Sequence, residues 1–333
     1  MVKIAILDDY QDCARSMADW SPLKGTEITA FRDHLFDEAA VAERLKPFDV
    51  VCAMRERTAL PATLLEKLPD LKLIATTGMW NAAIDIEAAK ARGITVCGTL
   101  APETPTAELT WALILGIVRN IPAETTSIRN GGWQVTVGGD LAGRTLGILG
   151  LGRLGKQVAK VGLAFGMKVI TWSQNITEER AQAAGARMVT KEELFRESDI
   201  LSILVILSHR TRGLVGAADL ALMKPTAYLI NTARGPIVEE AALIDVLRQK
   251  KIAGAAIDVY EPEPIAADHP FRSLPNVLAT GHIGYVSQDT YRQFWGETVE
   301  NIAAFLKGTP IRVIGQGGYR SAYDVPAGQP PKS

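Results

Sequence analysis

Residues 145–175 read TLGILGLGRLGKQVAKVGLAFGMKVITWSQN, a strand, a glycine turn, a helix and a second strand. Thr145–Leu149 is a short apolar run, suited to a strand covered on both faces. Gly150, Gly152 and Gly155 follow as G-x-G-x-x-G. In that spacing the first glycine permits a sharp turn and the second lets backbone approach a pyrophosphate. The third lets the helix pack close on the strand. The helix then aims its free N–H groups and positive dipole end at the phosphates. Val158, Val161, Leu163 and Phe165 are its expected sheet-facing positions, and Met167–Trp172 is the expected return strand. A bare glycine triplet also describes a turn that binds nothing. Here strand, helix and return strand all surround it, and the stretch reads as a dinucleotide site.

One position departs from that pattern. An acidic residue normally ends the return strand and holds the adenine ribose hydroxyls. Its place falls on Ser173, followed by Gln174 and Asn175. Without a carboxylate nothing repels a ribose 2′-phosphate, which Ser173 and Asn175 can hydrogen-bond. Arg180 is the nearest cation in sequence. NAD and NADP both stay open as cofactors, and a turn whose polar residues only face water is the plainer alternative.

Working outward, 333 residues are too many for one ordinary domain. Hydrophobic residues at 47% and charged residues at 22% are those of a globular protein. A net charge of −1 gives no basic field for nucleic acid or an anionic membrane. No apolar stretch is long and uninterrupted enough to span a bilayer. MVKIAILDDY is expected to be a first strand, not a signal peptide. Cys13, Cys52 and Cys97 lack metal spacing and suit a reducing cytoplasm as inert packing residues. The closing AGQPPKS is expected to fray.

Residues 2–100 alternate short apolar runs with helical patterns. Strands are expected at Val2–Leu7, Glu27–Phe31, Asp49–Ala53, Leu71–Thr76 and Thr95–Cys97. Helices are expected near Gln11–Trp20, Asp37–Leu45, Pro61–Leu68 and Asp85–Ala91, with Pro61 suited to a first helical position. Such alternation means an open parallel sheet with helices on both faces. No glycine fingerprint follows its first strand, so this unit is not the expected dinucleotide holder. Thr104–Val118 reads as a long crossing helix with Leu109, Leu113, Leu115 and Val118 buried, followed by a second helix over Glu124–Asn130. The βα alternation resumes from 145 to 282, and a last helix over Gln288–Leu306 returns to the first sheet. The first domain is then discontinuous, 1–102 with 284–333, around an inserted domain of 103–283.

Three later segments join the glycine turn: Asn231-Thr-Ala-Arg234-Gly235, Asp258-Val-Tyr-Glu261-Pro-Glu263-Pro264 and His282-Ile-Gly284. These segments resemble those of the D-isomer-specific 2-hydroxyacid dehydrogenases, which implies reduction of a 2-keto acid, a reaction that needs a hydride donor, a proton donor for the carbonyl oxygen and a cation for the carboxylate. The roles follow from residue types. An imidazole titrates near neutrality and suits the proton role, which points to His282. A carboxylate on its far nitrogen, Glu263 or its rival Glu261, fixes the tautomer and favours the protonated ring. The planar fork of Arg234 matches a carboxylate, and Gly235 beside it is expected to permit close ligand approach. His34, His209 and His269 have no such context and read as surface residues.

In this order and spacing the chain resembles the D-isomer-specific 2-hydroxyacid dehydrogenases, over about Val50–Leu306. The resemblance implies two doubly wound α/β domains, a Rossmann cofactor domain inserted into a flavodoxin-like substrate domain. It implies Arg234, Glu263 and His282 as catalytic residues, with Glu263 preferred because it directly precedes the final Pro. Arg153 and Leu154 would lie on the pyrophosphate side of the turn. Thr232, Ala233 and Asp258 would face the nicotinamide. Glu108 matches the start of the interdomain helix. Gly78 and Met79 in Thr77-Gly-Met-Trp-Asn81 look like a substrate loop whose backbone N–H groups hold the carboxylate, and Arg55 lies in the neighbouring loop. Solvated charges are the plainer reading of Arg55 and Arg57. A homodimer through the cofactor domain is also implied, with a small 2-keto or 2-hydroxy acid as substrate.

The departures bear on substrate. Trp80 stands where the family usually has a second Gly, Gly281 replaces a Pro, and Tyr285 replaces a small residue near the active His. Dehydrogenases of this scaffold acting on a non-hydroxyacid, and a dinucleotide-sensing corepressor that keeps the same residues without turnover, are the competing readings.

Overall fold

The computed structural model describes residues 1–102 and 104–315, and the AGQPPKS tail lies outside the described residues. The chain divides into two compact units, Met1–Pro102 with Ser287–Ser333, and Glu103–Val286.

The first unit holds strands β1 (Lys3–Ile6), β2 (Glu27–Ala30), β3 (Val50–Ala53), β4 (Leu73–Thr76) and β5 (Thr95–Cys97). They pair in parallel in the order β2-β1-β3-β4-β5. Helices α1 (Glu38–Leu45), α2 (Ala62–Leu65) and α3 (Ile86–Ala91) connect them. Asp37 and Asp85 cap α1 and α3 by accepting from Ala40 N and Ala88 N, and each falls one residue before its helix. Pro61 is likewise the residue before α2, not its first turn. Val51, Leu45, Leu64, Leu65 and Ile74 are sealed between sheet and helices. The helix Gln288–Leu306 belongs to this unit, with Ser287 capping it and Phe294 and Trp295 buried.

Gln11–Trp20 does not form the expected helix and is a run of turns ending in a short 3-10 helix, Ser21–Leu23. Its backbone donors find side-chain acceptors instead. The Asp9 carboxylate takes Cys13 N at 3.0 Å and Ala14 N at 3.1 Å, and Trp20 Nε1 donates to Ala14 O at 2.9 Å. Such local bonds compete directly with helix formation.

The second unit opens with α4 (Pro105–Val118) and α5 (Ile121–Arg129). It continues β6 (Thr145–Leu149), α6 (Arg153–Ala164), β7 (Lys168–Trp172), α7 (Glu178–Gln182), β8 (Arg187–Met188) and α8 (Lys191–Glu197). Then come β9 (Ile200–Ile203), α9 (Ala217–Leu220), β10 (Tyr228–Asn231), α10 (Glu240–Arg248), β11 (Gly254–Ile257) and β12 (Val277–Ala279). Its sheet runs β12-β11-β10-β9-β6-β7-β8, all parallel. The order reverses between β6 and β9, the switch point where open α/β sheets bind ligands beyond their carboxyl ends.

Two helices bury other faces than the sequence suggested. In α6 only Val158 of the expected four is buried, and Val161, Leu163 and Phe165 are 38–41% exposed. The packed face is Gly155, Val158, Ala159 and Gly162, at true helical spacing. Gly162 takes the Leu146 side chain into the space a Cβ would fill, so small residues, not large ones, decide this contact. In α4, Leu113 and Val118 are buried, Leu109 is half-buried and Leu115 is exposed, while Ile114 and Ile117 fill the core instead.

The second unit ends at Val286, a little beyond the expected 283. Gly284 N donates to Asp258 and Gly284 O accepts from Thr106 Oγ1, which fastens this loop to the second unit.

Candidate active site

The glycine turn connects β6 to α6. Gly150 has φ +102°, and a Cβ there would meet Val205 Cγ1 at 2.7 Å and Val205 N at 2.8 Å. Gly155 sits against the carbonyl oxygen of Gly150, leaving no room for a side chain. Gly152 differs from both. It has ordinary φ, caps α6 without any side-chain acceptor, and a Cβ there would meet nothing. The first and third glycines are therefore explained by the protein's own packing. The second leaves open space at the start of a 12-residue helix whose first N–H groups no capping side chain covers. Open space at the positive end of a helix suits an anion such as a pyrophosphate. Ser173 follows directly on β7, at the position where a ribose-binding carboxylate would stand. Arg180 lies in α7, exposed.

Neighbouring strands deliver the polar residues. Arg234 comes from the loop after β10, Glu263 from the loop after β11 and His282 from the loop after β12. Parallel strands place all three loops at one edge of the sheet, the edge that also carries the glycine turn. His282 Nδ1 and Glu263 Oε2 are 2.6 Å apart. The other oxygen of Glu263 accepts from Tyr260 N at 2.8 Å, which orients the carboxylate. The rival Glu261 is turned away, ion-paired with Arg212 at 2.8 Å on the surface. With Nδ1 bound, Nε2 is the ring nitrogen of His282 available for proton exchange. The Tyr285 ring stands edge-on to the imidazole, 5.5 Å between centroids.

His282 adopts φ +53°, a left-handed conformation that a residue with a Cβ holds only under local constraint. The constraint is Asp258, which is fully buried. Its Oδ1 accepts from Thr280 Oγ1 at 2.6 Å and Ile283 N at 2.8 Å, and its Oδ2 from Gly284 N at 2.9 Å. Burial pushes the Asp258 carboxyl up from its ordinary value, against the pull of those donors and of His282. Asp258, assigned to the nicotinamide side by resemblance, thus spends both oxygens on the His282 loop. Thr280 was not singled out in the sequence, because its role depends on a bond 22 residues away.

Gly235 also serves the protein and not a ligand. The space of its missing side chain is filled by the backbone of Tyr260. Arg234 is half-buried, and its Nη1 donates to Ala233 O at 2.7 Å. Asn231 closes the same turn, donating to Arg234 O and accepting from Ala233 N, both at 3.1 Å. Thr232 is buried with its hydroxyl 2.8 Å from that of Thr110. Glu108 is exposed on α4.

In the first unit the loop after β4 carries Gly78 and Met79. Gly78 has φ +88°, with the Arg55 guanidinium against it. Gly78 N donates to Thr99 Oγ1 at 2.9 Å, so this N–H is already committed. The N–H of Met79 has no acceptor among the described residues. Arg55, itself at φ +50°, donates to Thr77 O and pairs with Glu56 at 3.6 Å. Arg57 donates to Asp8 O at 2.7 Å. Neither arginine is the freely solvated charge of the plainer reading.

The remaining histidines divide. His209 is exposed. His34 and His269, expected at the surface, have side chains only 9% and 13% exposed, bound to Asp8 at 2.9 Å and Glu240 at 3.0 Å. Long-range carboxylate partners draw them inward. Cys13, Cys52 and Cys97 are free thiols. Burial pushes Cys52 up to about 12 and Cys97 to about 11, and burial together with Asp9 pushes Cys13 to about 11. No helix of the described residues is long and apolar enough to cross a membrane.

A parallel sheet with a glycine-turn helix at its switch point, and loops at the same edge carrying an imidazole–carboxylate pair and an arginine, define a nucleotide-dependent oxidoreductase scaffold. Residues 111–284 match the model of the D-isomer specific 2-hydroxyacid dehydrogenase, NAD binding domain. A glyoxylate reductase of Aeropyrum pernix is 40% identical over 74% of this chain and 76% of its own. A D-3-phosphoglycerate dehydrogenase of Methanocaldococcus jannaschii is 38% identical over 92% of this chain, which spans 58% of that relative. The structure of a phosphoglycerate oxidoreductase from Vibrio cholerae O395 superposes with a TM-score of 0.89 at 39% identity, over 92% of this chain and all of that one. The chain belongs to the D-isomer-specific 2-hydroxyacid dehydrogenase family.

Proposed function

We propose that the chain reduces a small 2-keto acid to the D-2-hydroxy acid, or runs the reverse reaction, with Arg234, Glu263 and His282 as its catalytic residues. The observation that carries this reading is the 2.6 Å pairing of His282 with Glu263 on the edge that holds Arg234 and the open glycine turn. A bound nicotinamide cofactor supplies the hydride for C2 of the substrate. Arg234 binds the substrate carboxylate and polarises the carbonyl. His282 Nε2 gives its proton to the carbonyl oxygen as C2 is reduced, and Glu263 stabilises the protonated ring and holds its tautomer. Asp258 keeps the His282 loop in its strained form. Gly78, Met79 and Arg55 are assigned to substrate binding, with the Met79 N–H as a donor for the carboxylate.

The cofactor unit holds the pyrophosphate through Gly152, Arg153 and Leu154, with Gly150 and Gly155 shaping the turn and Thr232 and Ala233 toward the nicotinamide. NAD(H) is the cofactor the family membership supports. Because Ser173 carries no charge, we also expect NADP(H) to be accepted. Buried, unreactive thiols fit a reducing cytoplasm.

We further propose a homodimer through the second unit. Beyond α5 an extended segment places Trp133, Val135 and Val137 at alternate positions, 73%, 60% and 97% exposed, beside exposed Ile121 and Ile128. Glu124 accepts from Val135 N and Thr136 N, and Ser127 Oγ donates to Trp133 O, so the segment is held in place. An ordered apolar ribbon of this size matches a second copy of the same ribbon. Sedimentation at low concentration reads the mass, and a monomer would reject it.

The activity is tested by following reduced-nicotinamide absorbance with each cofactor across a panel of keto acids. His282→Ala should lower kcat by about 10²–10⁴-fold while dinucleotide affinity survives. Wild-type turnover in that variant would reject the proton-transfer role. Tight dinucleotide binding by the native chain without turnover of any acid would favour the sensing alternative.

A further inference from the structure

Resting on that reading, we propose that the substrate's side chain is uncharged and apolar, and that Trp80 is the residue selecting it. Trp80 directly follows the Met79 N–H in a loop fastened at both ends. Gly78 N is bonded to Thr99 Oγ1, and Asn81 Nδ2 donates to Arg55 O at 2.6 Å and Thr76 Oγ1 at 2.8 Å. The next loop lies against it, since a Cβ on Gly98 would meet Met79 Sδ at 2.9 Å and Met79 Cα at 3.0 Å. From these two adjoining loops Trp80 and Leu100 present large apolar side chains, 37% and 40% exposed, in a unit whose other large side chains are mostly sealed in the core. Both loops lie at the carboxyl edge of the sheet, where this fold meets small ligands.

The charges nearby fit the same class. A distal phosphate or second carboxylate needs an uncommitted cation. Arg55 is paired with Glu56 at 3.6 Å and its guanidinium lies against Gly78. Arg57 donates to Asp8 O and packs its guanidinium 4.6 Å from the Tyr10 ring centroid. Exposed Trp80 and Leu100 side chains, with Arg55 ion-paired to Glu56 and Arg57 engaged by Asp8 O and the Tyr10 ring, favour a branched aliphatic or aromatic group on C3 over a hydroxymethyl phosphate.

The test compares kcat/KM for phenylpyruvate and 4-methyl-2-oxopentanoate with glyoxylate and 3-phosphohydroxypyruvate. The apolar acids should lead glyoxylate by at least about 10-fold, with the phosphorylated acid last. Trp80→Gly should cut the phenylpyruvate-to-glyoxylate ratio at least about 10-fold, and Trp80→Phe should restore most of it. Equal melting temperatures of the variants show that the fold is intact. A native enzyme that prefers glyoxylate or the phosphorylated acid overturns this inference alone, as does an unchanged ratio in Trp80→Gly. Turnover of none of the acids with either cofactor overturns the enzyme reading itself.

Discussion

In the first unit strand β1 runs into Leu7, Asp8 and Asp9, and in the second unit strand β6 runs into Gly150, Leu151 and Gly152. Both turns lie at the carboxyl end of a strand on which the sheet order pivots. Both need a left-handed residue, Asp8 at φ +56° and Gly150 at φ +102°. There the likeness ends. Asp9 takes the backbone donors of Cys13 and Ala14, while Asp8 takes Thr58 Oγ1 at 2.6 Å and pairs with His34. The second unit offers no side-chain acceptor at Gly152. A turn that fills its own donors with carboxylates has no place for an anion. A turn that leaves them to glycine has one ready.

At the amino edge the two sheets are built alike. Asp49, just before β3, accepts from Lys3 N at 3.0 Å and Lys72 Nζ at 2.8 Å. Asp199, just before β9, accepts from Thr145 N and Lys224 Nζ, both at 2.8 Å. Each staple ties the pivot strand to its neighbour across the crossover. The contrast at the other edge is therefore local to the two turns and not a different way of building the sheet.

The largest expected effect comes from moving the first unit's solution into the second. Gly152→Asp places a carboxylate where space is open, so folding should survive with little change in melting temperature. Dinucleotide affinity should fall about 100-fold or more through repulsion and lost N–H donors. Retained affinity, read by fluorescence titration of the reduced cofactor, would break the contrast. The reverse removal is smaller. Asp9→Ala leaves buried donors at Cys13 and Ala14 unpaired and should cost about 2–4 kcal/mol of stability, read as a lower urea midpoint. Its dinucleotide affinity should not move.

The smallest effect concerns the shared staple and depends on pH. Burial resists ionisation of Asp199, but the bonds from Lys224 and Thr145 N outweigh it and hold the carboxyl below its ordinary value. Asp49 is held low in the same way, by Lys72 and Lys3 N against burial. A group whose folded value is depressed stabilises the fold above its unfolded value, and that gain is lost as pH falls through the folded value. Lys224→Met and Lys72→Met should each lower the melting temperature modestly at neutral pH, and the deficit should shrink on acidification. A deficit that persists undiminished at acid pH would separate the staples from the carboxylates.

Much of this was legible in the sequence because it is local. The βα alternation marked the strands of the first sheet and the β6–α6–β7 unit to within a few residues, and the expected helix starts at Asp37 and Asp85 fall on the capping residues. The glycine spacing picked out the strand-to-helix turn between β6 and α6, and residue chemistry named an imidazole, a carboxylate and an arginine. Packing decided the rest. Which face α6 buries depended on Leu146 reaching into Gly162, and the failure of a helix over Gln11–Trp20 depended on where the Asp9 carboxylate was carried. Between Glu261 and Glu263 the resemblance already preferred the residue before the final Pro, and the loop turns that side chain toward His282, whereas Asp258 became a clamp because its loop met another. A strand or a turn is set by dihedral preferences within a few residues. A hydrogen bond between residues distant in the chain exists only after the sheet has brought its strands side by side.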